Sequence, residues 1–374
     1  MSRVLVTGGA GFIGSFLVDR LVEKGHAVRI LDNLEPQLHF GKVPSYLNKN
    51  AEFIKGDVTS YDVLKDAVKD IDVIFHEAAA VGIGQSMYQI QKYVAANTLG
   101  TAVLLNALVN EDHDVKKLVT ASSFSVYGEG SYKCEKCGLV EPELRNNAAV
   151  LKDSWELKCP VCNSILMPAP TNEEKNQDAT SIYALTKRDQ EDMCMMIGKV
   201  YGIPTVALRY FNVYGPRQSL NNPYTGVAAI FMSRIKNNNQ PILYEDGLQT
   251  RDFISVHDIV DSNMLAMDKN AANYEIFNVG TGNPMTIKHI AETVSQLYGK
   301  DTKPNITCKF RKGDIRHCFA DITKIRKKLG FKLKINFEDG MKEFIEWSKN
   351  QEAVDNFNEA TKCLKKHDLI ENKL

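Results

Sequence analysis

The start of the chain combines a strand, a glycine turn and a helix, and this motif constrains the fold more than any other. Residues 3–7 predict a buried strand, and Gly8, Gly11 and Gly14 lead into an apolar pattern with helical spacing. In that order, backbone N–H groups and the positive end of a helix dipole meet at one point, which suits a pyrophosphate. Glycine is needed because a Cβ would keep the phosphates away. The alternative is a tight turn that binds nothing.

A carboxylate follows the second predicted strand. Residues 27–31 end at Asp32, which lies 21 residues after Gly11. Asp32 can accept hydrogen bonds from both ribose hydroxyls of NAD and would repel the 2′-phosphate of NADP. Asp57 follows the third strand, where it either faces the adenine or caps the next helix. The glycine turn and Asp32 together favour an NAD site.

Strands and helices alternate through the first 125 residues, which predicts a parallel sheet wrapped by helices on both faces. Small residues at 78–80 would let the backbone lie against a dinucleotide, whereas His76 is expected in the core. We expect strands at 3–7, 27–31, 51–55, 73–75 and 117–121, and helices at 60–68 and 90–110.

The composition argues against several partners. Lys plus Arg and Asp plus Glu both number 46, so no net charge attracts nucleic acid or a membrane surface. No apolar run approaches the roughly 18 residues of a membrane span, and a strand at the start leaves no room for a signal peptide. We therefore expect a cytoplasmic protein with reduced cysteines, and its 374 residues suggest two domains.

A serine-rich strand end and a later Tyr-Lys pair carry the predicted chemistry. The fifth strand leads into Ser122–Gly128, and Tyr183 and Lys187 lie four residues apart on one face of a later helix. An ammonium group next to the tyrosine favours the phenolate, which is a usable base. Tyr88 and Lys92 share this spacing but precede the serine strand, so we expect them on a solvated face.

The glycine turn, Asp32, residues 76–79, the serine strand end and the Tyr-Lys pair together resemble an extended short-chain dehydrogenase/reductase. The closer resemblance is to the nucleotide-sugar epimerase/dehydratase branch, of which UDP-glucose 4-epimerase is a familiar member. It is supported by phrases typical of that branch at 208–217, 251–258, 277–282 and 313–316. The resemblance implies a Rossmann doubly wound parallel sheet, a smaller C-terminal α/β substrate lobe and a homodimer that pairs through helices near 90–110 and 183–200.

The resemblance also implies functional residues. The catalytic set is Ser123, Tyr183 and Lys187. Guanidinium groups bind diphosphates in a bidentate way, and the contacts implied for a nucleoside-diphosphate sugar are Ser123, Asn212, Tyr224, Arg251, Arg311 and Arg316. The contacts implied for NAD are Gly8, Gly11, Phe12, Ile13, Gly14, Asp32, Asn33, Asp57, Val58, Ala78, Ala79, Asn97, Tyr183 and Lys187.

Some of these assignments have alternatives. The segment that begins at Tyr224 either covers the nucleobase or is a plain amphipathic helix. Arg217 is a further candidate for the arginine cluster, whereas Arg209 lies in a strand-like run and is expected to be structural.

Two CxxC motifs interrupt the sheet pattern within residues 129–180. Twenty-one residues separate the two motifs, and four thiolates at this spacing predict a tetrahedral structural Zn²⁺ in a ribbon-like insertion, with redox chemistry as the alternative. The familiar epimerases are not expected to carry such a ribbon. Its position before the Tyr183 helix suggests that it covers the active-site mouth and influences the choice of sugar. The four predicted ligands are Cys134, Cys137, Cys159 and Cys162.

The pattern divides the chain into four regions. An NAD-binding domain is expected at 1–128 and 181–210, with 250–275 returning to it, and the insertion at 129–180. A substrate lobe is expected at 211–249 and 276–350. Residues 351–374 read as a polar helical tail that is either docked on the surface or partly disordered.

The residues after the catalytic hydroxyl separate the possible reactions. By resemblance, dehydratases of this branch carry an Asp-Glu pair there and decarboxylases a glutamate, whereas this chain has Phe124 and Ser125. The remaining reaction is C4 epimerisation of a UDP- or dTDP-hexose through a 4-keto intermediate. Residues 31–37 and the cysteines resemble dTDP-L-rhamnose 4-epimerases. The alternatives are a 4-keto-sugar reductase, a 4,6-dehydratase, or an NAD-sensing or zinc-ribbon interaction protein without catalysis.

Overall fold

The structure is a computed structural model that describes residues 1–145, 154–224 and 226–372. Its centre is a seven-stranded sheet in which every neighbouring pair of strands is parallel. This arrangement confirms the predicted doubly wound α/β fold. From one edge to the other the strands are Glu275–Val279, Thr205–Tyr210, Lys117–Ser123, Val73–His76, Arg3–Thr7, Ala27–Asp32 and Glu52–Lys55.

Strand residues alternate between two apolar cores, one on each face of the sheet. In the first strand, Val4 and Val6 join one core and Leu5 joins the other. Both faces are covered by helices, which explains why these strands read as continuous apolar runs. The order of the strands reverses next to Arg3–Thr7, and the carboxyl ends of the strands form a crevice there.

The helices largely follow the predicted positions. The predicted helix at 90–110 forms, but its middle part, Val94–Leu99, is a π-helical segment. Short 3₁₀ turns occur at Phe124–Tyr127 and Asn270–Ala272. Within the described ranges the α-helices are Phe12–Glu23, Pro36–His39, Tyr61–Ala67, Ile83–Ser86, Ile90–Tyr93, Gly100–Asn110, Ile182–Tyr201, Val227–Lys236, Val256–Asp268, Ile287–Leu297, Thr323–Leu329, Phe337–Lys349 and Phe357–Lys366.

The second half of the chain adds a smaller α/β layer. Its apolar core joins the helices Val227–Lys236, Ile287–Leu297 and Phe337–Lys349. A pair of short parallel strands, Ile242–Leu243 and Asn305–Ile306, lies at its edge. Its mixed sheet consists of Asn212–Tyr214, Thr250–Ser255, Pro284–Thr286 and His317–Cys318.

The cysteine-rich insertion folds as a small three-stranded antiparallel sheet with its own core around Tyr132, Leu157 and Leu166. The part of the predicted insertion at 146–153 lies outside the described residues. The strands are Ser131–Cys134, Gly138–Val140 and Met167–Ala169.

The C-terminal tail is docked on the rest of the molecule and is only partly helical. After the helix Phe357–Lys366, residues Ile370–Asn372 form a strand that pairs antiparallel with Lys309–Arg311. Residues 373–374 lie outside the described part. Among the residues that the structure describes, no helix is both long and apolar enough to cross a membrane.

Candidate active site

A cavity of about 980 Å³ lies at the carboxyl ends of the parallel strands and continues into the smaller α/β layer, called the second lobe here. One arm runs along the glycine turn and Asp32, and the other runs past Tyr244 and Arg311. Tyr183 also lines it. A cavity of this size is large enough for more than one ligand.

The glycine turn is packed too closely for side chains. Gly8 has φ +70°, and a Cβ there would lie 2.7 Å from the backbone nitrogen of Ala78. A Cβ on Gly14 would lie 2.3 Å from the carbonyl oxygen of Gly8. Gly11 precedes the helix without a capping side chain, and Phe12 and Ile13 line the cavity in the first turn. The open N-terminus of this helix fits a dinucleotide pyrophosphate.

Asp32 lines the cavity at the end of its strand, as the sequence predicts. Its carboxylate accepts hydrogen bonds from the N–H groups of Ala10 (3.0 Å) and Leu34 (2.8 Å), which fix its orientation. Each carboxylate oxygen keeps a second lone pair for a ribose hydroxyl.

Asp57 lines the same arm and is not the cap of the following helix. That helix begins at Tyr61, and Ser60 occupies its N-cap position. Asp57 accepts hydrogen bonds from Asn33 Nδ2 at 2.8 Å and from the backbone and hydroxyl of Thr59. Burial opposes ionisation, but these hydrogen bonds outweigh it and lower the pKa of Asp57. The charged carboxylate therefore faces the cavity.

The residues after the fourth strand divide into lining and supporting groups. Ala78 and Ala79 line the cavity, as does Val58. Asn97 is fully buried and is not among the lining residues, contrary to its prediction as a contact. Its side-chain amide instead accepts a hydrogen bond from the Ala80 N–H at 2.7 Å and donates one to the Ala80 carbonyl at 3.1 Å. Asn97 therefore supports the backbone of the cavity wall without lining the cavity. The predicted core role of His76 is confirmed: it is fully buried, and burial lowers its pKa to about 3.

Ser123, Tyr183 and Lys187 all line the cavity. Ser123 ends the strand Lys117–Ser123. The Tyr183 helix begins after Ser181, which caps that helix by accepting a hydrogen bond from the Ala184 N–H, 3.1 Å away. The Ser123 hydroxyl also hydrogen-bonds Tyr183, which lowers the pKa of the phenol against the larger raising effect of burial.

Lys187 sits in a polar cage at the base of the site. Its Nζ donates to the carbonyl of Ala121 at 2.7 Å and to Gln190 Oε1 at 2.8 Å. Burial lowers its pKa to about 8, against the opposing charge of Glu77. The ammonium form therefore predominates at neutral pH, and Lys187 lies one helical turn after Tyr183, the residue that it is expected to activate.

Glu77 is a cavity residue that the sequence did not single out. Its carboxylate accepts a hydrogen bond from the Tyr210 hydroxyl at 2.8 Å. Burial raises the pKa of Glu77 to about 7, while Tyr210 and Lys187 oppose the rise. The sequence offers one signal for Glu77, which is its position directly after the fourth strand. The burial that raises its pKa cannot be read from the sequence.

Asn212, Tyr224, Arg251 and Arg311 line the other arm. The side-chain oxygen of Asn212 is buried without a hydrogen-bond partner in the described structure. A buried acceptor of this kind is satisfied when a ligand donates to it. Arg251 is held by the carbonyls of Ile315 (2.7 Å) and Arg316 (3.0 Å).

Arg316 does not belong to this arm, which corrects its predicted role. Its side chain is fully buried and contacts the carboxylates of Glu156, Glu245 and Asp246 at 2.5 to 3.0 Å. These partners occupy the guanidinium, so a phosphate cannot reach it. Glu156 belongs to the cysteine insertion, and Glu129 of the same insertion accepts the Arg316 backbone N–H. Arg316 therefore ties the insertion to the second lobe.

The two remaining candidate arginines also differ, because one is structural and the other lines the cavity. Arg209 is buried and bound to Glu191 at 2.5 Å, which confirms its structural role. Arg217 lines the cavity, pairs with Asp19 at 2.7 Å and stacks on Phe16.

The earlier Tyr-Lys pair does not lie on a solvated face, so that prediction is wrong. Lys92 lines the cavity and pairs with Glu35 at 2.9 Å. Tyr88 hydrogen-bonds the hydroxyl of Tyr224. The spacing of Tyr88 and Lys92 could not show this placement, because the residue that contacts Tyr88 is Tyr224, which lies far away in the sequence.

The four predicted cysteine ligands come together. Their sulfur atoms all lie within 4.8 Å of one another, and the Cys134 and Cys162 sulfurs are 3.4 Å apart. A tetrahedral Zn²⁺ with bonds of about 2.3 Å needs sulfur atoms about 3.8 Å apart, so the donor set fits the metal. Of the described insertion residues, only Thr180 lines the cavity. The expectation that the ribbon covers the active-site mouth is therefore wrong for the described part.

Comparisons with known proteins agree with this geometry. The sequence profile described as the NAD dependent epimerase/dehydratase family matches residues 4–147, and that of GDP-mannose 4,6 dehydratase matches residues 166–344. The chain is 33% identical to a dTDP-L-rhamnose 4-epimerase of Burkholderia thailandensis, over 92% of this chain and 94% of that protein.

Solved structures extend the similarity to the fold. The UDP-glucose 4-epimerase of Thermotoga maritima, with UDP-glucose, matches with a TM-score of 0.76 at 30% identity, over 93% of this chain and 98% of that one. The UDP-glucuronic acid 4-epimerase of Bacillus cereus, with UDP-glucuronic acid and NAD, gives a TM-score of 0.76 at 27% identity, over 93% and 99% of the two chains. The chain belongs to the NAD-dependent epimerase/dehydratase family of extended short-chain dehydrogenases/reductases.

Proposed function

We propose that the protein epimerises a nucleoside-diphosphate hexose at C4 with NAD as a resident cofactor. The observation that carries this proposal is the shared cavity: Ser123, Tyr183 and Lys187 line it together with the glycine turn and with Arg311. The 4-epimerases among its relatives support the same class of reaction.

The residues present suit NAD in one arm. The glycine turn and the bare helix N-terminus would hold the pyrophosphate, and Asp32 the adenosine ribose. When bound, NAD would supply a reversible hydride acceptor for C4 of the sugar. Lys187 would contact the nicotinamide side, where its positive charge also favours the phenolate of Tyr183.

The protein side chains move the proton. Tyr183, as the phenolate, accepts the proton of the C4 hydroxyl and gives it back after the 4-keto sugar has turned over. Ser123 hydrogen-bonds Tyr183 and is placed to hold the same substrate oxygen. Because burial raises the pKa of Tyr183, the Ser123 hydrogen bond and the charge of Lys187 are proposed to make the phenol a usable base.

The residues after Ser123 favour epimerisation over dehydration. Phe124 stacks on Phe211 with ring centroids 5.3 Å apart. Ser125 donates its backbone N–H and its hydroxyl to Ser123, at 3.2 and 2.9 Å. Neither side chain supplies the acid that eliminates water across C5 and C6. A 4-keto-sugar reductase remains the second candidate, since it would use the same Tyr183 chemistry.

The proposed substrate is a UDP- or dTDP-hexose. Asn212, Tyr224, Arg251 and Arg311 are proposed to bind its nucleotide, and Ser123 the sugar. The identity to a dTDP-L-rhamnose 4-epimerase supports a dTDP-sugar, and the similarity to UDP-sugar epimerases supports a UDP-sugar.

The insertion is proposed to hold a structural Zn²⁺. Four cysteine ligands leave no open position for chemistry. We also propose that residues 211–249 and 276–350 act as the substrate lobe and the ranges 1–128, 181–210 and 250–275 as the NAD domain. Two strands shift these bounds, because Glu275–Val279 lies in the large sheet and Thr250–Ser255 in the smaller layer. A cytoplasmic location stays a prediction from sequence.

A homodimer is proposed through the helices at 90–110 and 182–201. Both helices leave large apolar side chains exposed in the monomer, which supports pairing of this face. They include Val94, Leu99, Leu185, Met196 and Val200.

An NMR screen of UDP-, dTDP- and GDP-sugars without added NAD(P)H tests the proposed reaction. We expect one C4 epimer pair to interconvert and Tyr183→Phe to slow the conversion about 10²- to 10⁴-fold. NADH consumption equal to product would favour the reductase. Failure of every sugar to react or to reduce bound NAD⁺ would favour a binding protein without catalysis.

A further inference from the structure

The C-terminal residues 352–372, called the strap here, are fixed at their beginning by a buried ion pair. Asp355 accepts hydrogen bonds from Arg234 at 3.1 Å and from Asn239 at 2.7 Å. The side chains of Arg234 and Asp355 are each only 7% exposed, and the guanidinium lies over the ring of Phe357. A buried charge-assisted bond of this kind holds the strap firmly to the second lobe.

The strap is fixed again at its far end. Its strand Ile370–Asn372 pairs with Lys309–Arg311, the segment that carries Arg311. Lys312 strengthens this end, because its N–H donates to Leu369 at 3.0 Å and its ammonium pairs with Glu371 at 2.8 Å. The helix Phe357–Lys366 is therefore bound to the rest of the protein at both of its ends.

One face of this helix closes the cavity. Ala360, Thr361 and Leu364 line it, and Ala360 and Leu364 are at most 5% exposed. A Cβ added to Gly84 would lie 3.1 Å from Leu364 and 3.7 Å from Arg311. Since Gly84 follows the fourth strand of the large sheet, the strap reaches across the cavity to its opposite wall.

The strap contacts two tyrosines that line the arm proposed for the nucleotide, and a third tyrosine next to them. Thr361 hydrogen-bonds Tyr244, whose ring lies 5.7 Å from the Arg311 guanidinium. Cys363 hydrogen-bonds Tyr224. His367 stacks on Tyr88 at 4.9 Å, beside the same Tyr224. The contact between Thr361 and Tyr244 lies next to Arg311, where a diphosphate would bind.

We propose that the strap is a nucleotide-binding element of this protein, in which Thr361 and Leu364 complete the arm around the nucleoside diphosphate of the substrate. The proposal rests on the proposed function of that arm. Both matched family regions end before the strap, at or before residue 344. The strap therefore adds contacts that the family profiles do not contain.

Titration calorimetry with UDP and with dTDP, without any sugar, tests this inference. We expect the double variant Thr361→Val with Leu364→Ala to weaken the tighter of the two nucleotides about tenfold, while the content of bound NAD is unchanged. The matched control is Glu359→Ala with Lys362→Ala, on the outer face of the same helix, where both side chains are more than 70% exposed. We expect the control to bind like the unaltered protein.

Amide hydrogen exchange of the unaltered protein gives a second measurement that does not depend on the variants folding. Saturating nucleotide should slow exchange in residues 357–366 if these residues form the binding wall. Unchanged affinity in the folded double variant, or no protection of the helix, would overturn the role of the strap even if the enzyme epimerises sugars. Strap-dependent binding without any epimerisation would instead refute the proposed reaction alone. Absence of binding to both nucleotides would refute both proposals.

Discussion

At the scale of residues, two nearby arginines have opposite roles. Arg311 lines the cavity, where it pairs with Asp314 and has room for a phosphate, whereas Arg316 is enclosed by three carboxylates. We expect Arg311→Ala to weaken UDP or dTDP binding tenfold or more with little change in stability. Arg316→Ala should instead lower the free energy of unfolding by about 3 kcal/mol, because three carboxylates lose a partner and Glu245 keeps only Arg145.

Nucleotide titration and urea unfolding of both variants check this contrast. A folded Arg316→Ala protein with the larger loss of nucleotide affinity would restore the role that the sequence suggested. The sequence could not separate the two residues, since the carboxylates around Arg316 come from residues 70 to 160 positions away.

Glu77 is expected to set the pH range of Lys187. Its negative charge raises the pKa of Lys187, so Glu77→Gln should lower that pKa further below its value of about 8. Lys187 would then lose its charge at a lower pH, and the alkaline fall of kcat/KM should move toward neutral pH. The measurement is the pH profile of epimerisation for both proteins. An unmoved alkaline limb would show that Glu77 does not act on Lys187.

At the scale of elements, the cysteine ribbon is expected to affect the active site indirectly, by supporting a residue that lines the cavity. It holds Arg316 through Glu129 and Glu156, and the Arg316 carbonyl holds Arg251 in the cavity. Cys134→Ser with Cys159→Ser should remove the metal and lower the melting temperature. The KM for the sugar nucleotide should rise more than kcat falls, because Arg251 loses its support.

Metal analysis by mass spectrometry, thermal unfolding and kinetics check this prediction, and Cys308→Ser, an exposed thiol outside the ribbon, is the control. Retention of metal by the variant, or loss of metal without a change in KM, would contradict the role of the ribbon.

Local pattern predicted the sheet well because each strand and helix carries its own periodicity. The first strand, Arg3–Thr7, begins and ends as expected, and the cysteines meet as their spacing predicts. The strap was not predicted as a wall of the cavity, because its polar helix pattern does not show where it docks. Asn97 was likewise misassigned, since its turn from the cavity depends on Ala80 and Thr186, which lie far away in sequence.

At the scale of the whole molecule, the two exposed helix faces predict a dimer. Leu185 is 44% exposed and Met196 63% exposed in the monomer. We expect light scattering to give twice the mass of one chain, and Leu185→Glu with Met196→Glu to give a monomer that still binds NAD. The matched control is Lys24→Glu, on an exposed turn away from these helices. A monomeric unaltered protein would refute the dimer.

The central claim is that the hydride leaves C4 and returns to C4 of the same sugar within one turnover. The most direct test uses a substrate pair identified in the NMR screen, with deuterium at C4 of the sugar and ordinary water as solvent. We expect the epimerised product to retain the deuterium at C4, with no NADH consumed. Loss of the deuterium to water, or consumption of one NADH per product, would contradict the claim.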